Sequence, residues 1–425
     1  MSASNRADLG QQPERSAVGR ERQLPITHRS PQLADSRSGL APGNTRRLAG
    51  LTWAHLLNDG ASNYLPGVLP AVLVSLDQPV RLAGVLVAAL TIGQALQPVT
   101  GWIADRLGGR ALVIGGLTMT SVGGGLLGIA HSTSLLVVLL LLIGIGNAFF
   151  HPQALAGVRS MLQGKHGLLT SAFLVGGELG RGIWPTAASL VVSNLGLPYL
   201  WIVGIPGVLT VPLLARLAPK LPAAAKKHGS PIRWAEHARP MAVLVTYCSV
   251  RAVTTYALVT FIPILARTRG ESLVSGASII TTMLIVGVIG NLWGGHLSDQ
   301  LGRRPVLITS AIAAGVLVFP VVYSHGALVW ITAAILGIPL FLTASTTVLI
   351  GQDIFPENRS MGSGVALGLA NGIGALLVLI IGLWVDQSNV LPVFWIVGGL
   401  SIASAGLVLT FPRHLVPAPS EMPPA

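Results

Sequence analysis

The sequence predicts an all-helical integral membrane protein in which twelve membrane-spanning helices form two pseudo-symmetric six-helix bundles. Of its 425 residues, 51% are apolar and 10% are charged, and the mean hydropathy is +0.69, whereas about 25% of the residues of a soluble domain are charged. From Leu51 onward, apolar runs of roughly 20 residues follow one another, each long enough to cross the hydrocarbon core of a bilayer. A short charged turn between two such runs occurs twice, which indicates an internal duplication.

The repeated turn reads GWIADRLGGR at 101–110 and GHLSDQLGRR at 295–304, and its two aspartates are 194 residues apart. In each copy the aspartate ends one predicted helix and the arginines begin the next. These charges can join neighbouring helices on the cytoplasmic face in one conformation and separate in another, or they can serve only as topology anchors. The predicted gating residues are Gly101, Asp105, Arg106, Gly108, Arg110, Gly295, Asp299, Gly302, Arg303 and Arg304.

The apolar runs divide the chain in order. We expect a disordered cytoplasmic tail at 1–48, where the sequence is polar and contains eight arginines. An N-terminal bundle follows at 49–216, a cytoplasmic linker at 217–239, a C-terminal bundle at 240–413 and a second tail at 414–425. The predicted spans are 51–74, 80–104, 110–130, 133–154, 167–192 and 198–216 in the first bundle, and 240–266, 271–297, 304–323, 325–350, 360–385 and 389–412 in the second.

The net charge of +12 follows the predicted topology. Of the 27 Lys and Arg residues, 22 lie on one predicted side, 3 on the other and 2 within spans. Cytoplasmic loops have such an excess of basic residues, so we expect a cytoplasmic-membrane protein with both termini in the cytoplasm and no nucleic-acid partner. The lone cysteine, Cys248, excludes a disulfide framework and a cysteine-based metal site. No histidine pair has recognisable metal-ligand spacing, so we expect no metal and no cofactor.

Ionisable residues inside spans are costly to bury and therefore indicate function. His55 and Asp59 are four residues apart on one face of the first span, with Asn58 beside them. A carboxylate held away from water favours its neutral form and can load and release a proton. The sequence predicts Asp59 as the main proton-coupling group, with His55 assisting and Asn58 contacting substrate. The alternative is a helix-packing hydrogen bond near one membrane face.

The fifth span contains a second charged pair, Glu178 and Arg181, three residues apart on one face. Arg181 can attract an anionic group of a substrate while Glu178 takes up a proton, or the two can form a permanent internal ion pair. The surrounding glycines, Gly176, Gly177 and Gly180, allow another helix to approach closely.

Two further residues are candidates. Arg251 lies in the seventh span near Tyr256, and both are predicted to contact substrate; alternatively, Arg251 extends to the cytoplasmic face. His151, before Pro152 at the end of the fourth span, either takes part in the site or packs at a kinked helix end.

The two turns resemble the signature loop of the major facilitator superfamily. AHLLND at 54–59, LQPV at 96–99, FHP at 150–152, HGL at 166–168, VGG at 175–177 and the turn from Asp353 to Gly362 resemble the fosmidomycin-resistance family of efflux transporters. The resemblance implies a two-bundle transporter that alternates between inward and outward access and exports a substrate in exchange for protons. It implies that His55, Asp59 and His151 occupy positions the family uses, and that the three glycines with Pro185 match the glycine-proline element of drug antiporters. Glu178 and Arg181 depart from the family pattern, in which uncharged residues are expected, and Gln300 stands where the first copy of the turn has Arg106.

We therefore expect a monomeric, non-enzymatic, proton-coupled exporter of a small amphipathic or anionic compound, with fosmidomycin-like antibiotics as candidates. The sequence contains no phosphate loop of the Gly-x-x-x-x-Gly-Lys-Ser/Thr type, so an ion gradient would drive transport. Two alternatives stay open, a proton-coupled importer of an organic anion or other metabolite, and a membrane sensor or scaffold that transports nothing.

Overall fold

The computed structural model describes residues 42–97, 99–100, 103, 109–161, 166–218, 234–355, 362, 364–386 and 390–416. Within these ranges the regular structure is helical and contains no strand. The α-helices are α1 (Pro42–Asn63), α2 (Leu65–Ser75), α3 (Leu82–Gln94), α4 (Arg110–Leu126), α5 (Thr133–Met161), α6 (His166–Leu195), α7 (Trp201–Leu217), α8 (Trp234–Thr268), α9 (Leu273–Leu301), α10 (Arg303–Tyr323), α11 (Leu328–Phe341), α12 (Ala344–Ile354), α13 (Ala370–Gly382) and α14 (Leu391–Val408). A π-helical turn, Val365–Leu369, precedes α13.

The helices match the predicted spans. In the described part of the chain, nine helical segments are long and apolar enough to cross a membrane. The described parts of the remaining three predicted spans are largely helical too, and these spans overlap α1 and α2, α3, and α6. The break between α1 and α2 falls at Tyr64, before Pro66, whose ring cannot continue a regular helix. The all-helical prediction is confirmed, and the count of twelve spans is consistent with these segments.

The two halves pack in the same way. In the first half α1 contacts α6 and α7, α3 contacts α5, and α4 contacts α5 and α7. In the second half α8 contacts α13 and α14, α9 contacts α11, and α10 contacts α11 and α14. The main contacts between the halves are α6 with α9 and α3 with α13, so the interface repeats the same symmetry. The duplication seen in the turns therefore extends to helix packing.

Buried apolar residues form three clusters. One contains residues of both halves, such as Leu86, Phe261 and Ile280, and on the predicted topology it lies toward the extracytoplasmic end. The other two are confined to one half each, around Phe150 and around Ile350, and on the same predicted topology they lie toward the cytoplasmic end. The halves therefore share a core at one end and keep separate cores at the other.

The helix bounds differ from the predicted domain limits in three places. α1 begins at Pro42, inside the predicted 1–48 tail, because Leu48 is buried in the core of the first half. α8 begins at Trp234, inside the predicted 217–239 linker, and residues 219–233 of that linker lie outside the described residues. Leu415 and Val416 are buried against the second half, so the part of the predicted C-terminal tail nearest α14 is packed.

Candidate functional site

Four side chains converge near the middle of α1, α5 and α6, and we call them the His–Asp cluster: His55, Asp59, His151 and Arg181. Asp59 is 3% exposed, and its Oδ1 lies 3.1 Å from His151 Nε2. Its Oδ2 lies 3.5 Å from His55 Nε2 and 3.4 Å from Arg181 Nε. The structure thus brings together His55 and Asp59 from the first span, His151 from the fourth and Arg181 from the fifth.

The two imidazoles are held so that their Nε2 atoms face each other and the carboxylate. His55 Nδ1 donates to the carbonyl of Phe173 at 2.8 Å, and His151 Nδ1 donates to the carbonyl of Asn147 at 3.0 Å. The two Nε2 atoms are 3.1 Å apart. Because both Nδ1 atoms already have their proton, neutral imidazoles would present only acceptors to each other and to Asp59. The cluster therefore has a place for one additional proton shared among three acceptor groups.

Small residues of α6 make this arrangement possible. A Cβ added to Gly177 would lie 2.9 Å from Asp59 Oδ2 and closer still to the His55 ring. Gly176 and Gly180 face the α1 backbone at Thr52 and Leu56. The predicted close approach of a helix to these glycines is therefore that of α1. Pro185, the fourth residue of the predicted element, packs against Gly67 of α2.

Asn58 is fully buried beside Asp59. Its Nδ2 donates to Asp59 Oδ1 at 3.2 Å, and its Oδ1 accepts from Thr120 Oγ1 at 3.0 Å. Asn147 extends this network by donating to Ser62 Oγ at 3.0 Å. Sequence reasoning missed Thr120 and Asn147, since an uncharged polar residue in an apolar span is a weak signal. In this conformation the Asn58 side chain orients Asp59 and is not exposed to an open cavity.

Glu178 and Arg181 do not form the predicted pair with each other. Arg181 faces Asp59, whereas Glu178 Oε1 accepts a hydrogen bond from Asn291 Nδ2 of α9, in the other half. Glu178 Oε2 is buried without a hydrogen-bond partner among the described residues. The two charges of α6 therefore point to different partners, one within the first half and one across the interface.

Arg251 lies at the middle of α8, beside a small cavity. The cavity is lined by Tyr247, Thr254, Ser310 and Ser404, and Arg251 Nε is buried without a hydrogen-bond partner in the described chain. Tyr256, the other predicted substrate contact on α8, packs against the core shared by both halves. The predicted substrate-binding arginines, Arg181 and Arg251, therefore come from opposite halves.

The His–Asp cluster also has the ligand types of a metal site. One ligand atom each from His55, Asp59 and His151 lies within 4.8 Å of the others, a grouping that sequence spacing did not reveal. The Arg181 guanidinium adds a permanent positive charge 3.4 Å from the same carboxylate. Such a charge opposes a divalent cation more strongly than a single proton, so the surroundings favour a proton at this position.

Much of the first predicted gating turn lies outside the described residues, namely Gly101, Asp105, Arg106 and Gly108. Arg110, at the start of α4, donates to the carbonyl of Ala215 at the end of α7. It therefore joins two helices of the same half.

The second turn is described in full. α9 ends at Leu301, Gly302 has φ 85°, and α10 begins at Arg303. The left-handed backbone at this tight turn favours glycine. Gly295 lies earlier on α9, near Ser345.

The arginines of the second turn bind partners other than the predicted aspartate. Arg303 Nη1 lies 2.6 Å from Asp353 Oδ2 at the end of α12, while Asp299 is exposed and forms no ion pair with a described residue. Arg304 donates to the carbonyl of Phe411 at 3.3 Å. Asp353 was not assigned to the second turn from the sequence. An acidic residue near a predicted cytoplasmic end was the available signal for an ion pair with Arg303.

Comparison with known proteins agrees with this architecture. The family model of the Major Facilitator Superfamily matches residues 51–378 and 253–424. The uncharacterized MFS-type transporter YfnC of Bacillus subtilis (strain 168) is 28% identical over 362 residues, covering 80% of this chain and 86% of that protein. The fosmidomycin resistance protein of Escherichia coli (strain K12) is 24% identical over 356 residues, covering 81% and 87%.

A solved structure shares the fold. The crystal structure of a bacterial homologue of the human lysosomal transporter Spinster, in an inward-facing and occupied conformation, superposes with a TM-score of 0.72 at 17% sequence identity. The match covers 90% of this chain and all of that one, 100%. Helix packing, the duplicated turn and the family model lead to one conclusion: the chain belongs to the major facilitator superfamily of multi-pass membrane transporters.

Proposed function

We propose that the protein is a proton-coupled secondary transporter of the cytoplasmic membrane that exports a small amphipathic or anionic compound. The observation that supports proton coupling is the His–Asp cluster, in which two imidazoles with fixed Nδ1 donors and a buried carboxylate need one additional proton. Groups that share one proton inside the membrane-spanning bundle suit a carrier that must load the proton on one side and release it on the other.

Each member of the cluster has a distinct role in this proposal. Asp59 and His151 hold the transported proton, and His55 accepts part of its charge. Arg181 compensates the Asp59 carboxylate while the proton is absent. Asn58 orients the carboxylate through its 3.2 Å hydrogen bond. Because Gly177 has no Cβ, α6 can lie close enough to α1 for these groups to contact one another.

The substrate would bind between the halves, in contact with Arg181 from one half and with Arg251 and Tyr256 from the other. An anionic group on the substrate would pair with the two guanidinium groups, and its apolar part would lie against apolar side chains of both halves. The similarity to a fosmidomycin resistance protein supports export, and it makes fosmidomycin the first compound to test.

The electrostatics also favour a second candidate function. Arg181 pairs with Asp59 in this structure. An anion that draws Arg181 away therefore leaves Asp59 without its cation, and the carboxylate then binds a proton more readily. Proton and anion would then load together, which is the pattern of a symporter that imports an organic anion. The proposed exchanger therefore requires that the substrate, besides pairing with the arginines, also donate directly to ionised Asp59 and so compete with the proton.

Inverted membrane vesicles that contain the full chain distinguish the two directions. We expect added fosmidomycin to collapse an established inside-acid gradient, as substrate enters and protons leave. A gradient that deepens on addition of an organic anion would support the importer. Absence of flux for every compound tested in proteoliposomes would contradict transport coupling of either kind and favour a sensor or scaffold.

A further inference from the structure

The contact between Glu178 and Asn291 is the least expected polar feature of the interface between the halves. Glu178 belongs to α6 and Asn291 to α9, and the amide of Asn291 donates to Glu178 Oε1. Two further contacts follow along the same antiparallel pair. Gly182 faces Ile285, and Thr186 Oγ1 lies 2.7 Å from Thr281 Oγ1.

The same face of α6 reaches the His–Asp cluster. Glu178 and Arg181 are three residues apart, which places them side by side on one face. Arg181 Nε lies 3.4 Å from Asp59 Oδ2 but makes no hydrogen bond within the described chain, so this ion pair is loosely held. Glu178 Oε2 is buried and also without a hydrogen-bond partner there.

This pairing gives Arg181 two carboxylates to choose between. The charged groups that act on Glu178 are Arg181 on its own helix, Asp59 on α1 and Arg251 on α8. Of these, Arg181 is the cation that already contacts the proton site. A guanidinium released from Asp59 has an unpaired carboxylate oxygen one helical turn away.

We propose that Asn291 is a positioning residue that links the proton site to the interface between α6 and α9. When Asp59 is ionised, it holds Arg181, and Glu178 remains bonded to Asn291, which keeps α6 against α9. When Asp59 is neutral, Arg181 turns to the free oxygen of Glu178 and draws the carboxylate away from Asn291, which weakens the interface. This inference rests on the proposed proton coupling and assigns a role to a residue of the half that lacks the proton site.

Cysteine cross-linking across the adjacent threonine pair tests the inference. Thr186→Cys and Thr281→Cys are introduced together in a Cys248→Ala background of the full chain, and disulfide yield in proteoliposomes reports how closely α6 and α9 approach. We expect Asn291→Ala to lower the rate of cross-linking at least about tenfold, the effect of losing one hydrogen bond to a charged group. Asn291→Gln should restore most of the rate.

Asp59→Asn serves as a permanent mimic of the neutral carboxylate. We expect it to lower the cross-linking rate in the parent background but to have no further effect in Asn291→Ala. Glu178→Gln keeps an acceptor for Asn291 while removing the charge that attracts Arg181. This variant should cross-link at the parent rate whether or not Asp59 is replaced.

Asn194→Ala is the matched control, because Asn194 is exposed on α6 and bonds only its own helix, at Leu190, among the described contacts. It should leave the cross-linking rate within about twofold of the parent, well below the effect of one hydrogen bond to a charged group. An Asn291→Ala rate equally close to the parent would overturn the inference, even if proton-coupled flux were measured. Should Asn291→Ala fail to fold, Asn291→Ser makes the same test. Absence of proton-coupled flux would contradict the proposed function. A cross-linking rate that does not change when Asp59 is replaced by Asn would, separately, overturn the inference.

Discussion

The two halves of the molecule share one packing scheme but differ in chemistry. Gly180 packs on the α1 backbone at Leu56, and Gly374, 194 residues later, packs on the α8 backbone at Val253. This repeat offset relates the charged positions of the first half to uncharged positions of the second. Asp59, Glu178 and Arg181 correspond to Val253, Gly372 and Ala375.

The comparison separates what duplication preserved from what it did not. His55 corresponds to Ser249, whose hydroxyl is buried without a partner in the described chain. The second half contributes Arg251, which lines a cavity within that half, and Asn291, which donates to Glu178 of the first half. Small residues at helix contacts kept the scaffold alike in both halves, while a few ionisable substitutions confined the candidate proton site to one of them.

The largest expected effect is that of replacing Asp59 by Asn, which removes the proton site found in only one of the two halves. The amide cannot hold the proton or balance Arg181, so we expect proton-coupled flux to fall at least about 100-fold. A pH-sensitive dye in proteoliposomes measures the flux, and detergent extraction confirms membrane insertion. Ser249→Ala, at a position of the half without the cluster, should change flux by less than about twofold. Normal flux in the Asp59 variant would remove this residue from the mechanism.

Gly177→Ala should come next. The added methyl group would be forced against the His55 ring and Asp59, and close-packed interiors do not absorb such a group without displacement. We expect coupled transport to fall about tenfold, as cluster geometry is lost. Gly399→Ala is the control, because nothing lies within 4 Å of a Cβ there. Equal transport by the two variants would contradict the tight fit of α6 on the cluster.

Arg181→Ala should weaken transport of anionic substrates about tenfold more than that of neutral ones, as expected for a charge-assisted contact. Transport rates for a matched anionic and neutral pair measure this selectivity. Arg251→Ala sharpens the comparison, since equal selectivity would mean that both halves bind the anion. Equal loss for anionic and neutral substrates after Arg181→Ala would instead indicate a purely structural ion pair with Asp59.

The smallest effect concerns the pair of Arg303 and Asp353 at the second turn. The Asp353 side chain is 45% exposed, so solvent screens the interaction. A double-mutant cycle with both residues changed to Ala, followed by thermal unfolding in detergent, should give a coupling free energy of at most about 1 kcal/mol. A coupling above about 2 kcal/mol would show a structural role that a screened surface pair cannot have.

The two ends of the molecule provide a further contrast, between a core shared by both halves and two separate cores. On the predicted topology, the shared core lies toward the extracytoplasmic end and the two separate cores lie toward the cytoplasmic end. The contacts of α6 with α9 and of α3 with α13 join the two halves. Alternation would exchange these contacts for new ones.

Residue patterns were sufficient to predict the helices and the ionisable residues of the candidate site. Apolar runs predicted the spans because a bilayer requires about 20 apolar residues per crossing, and the ionisable residues within them stood out by their cost of burial. The partner of each ionisable residue was not predictable. Glu178 and Arg181 share a helical face, yet each finds its partner on another helix, because an adjacent helix brings Asp59 or Asn291 closer than the flanking turn does.

Local composition and periodicity thus established a duplicated membrane transporter with charged residues in its spans, because hydrophobic length and charge asymmetry are properties of consecutive residues. Only the packing of helices far apart in the chain decided that two imidazoles, a carboxylate and a guanidinium meet, since fixing the tautomers of His55 and His151 required carbonyls that the folded backbone supplies. The same packing decided that Glu178 faces the opposite half.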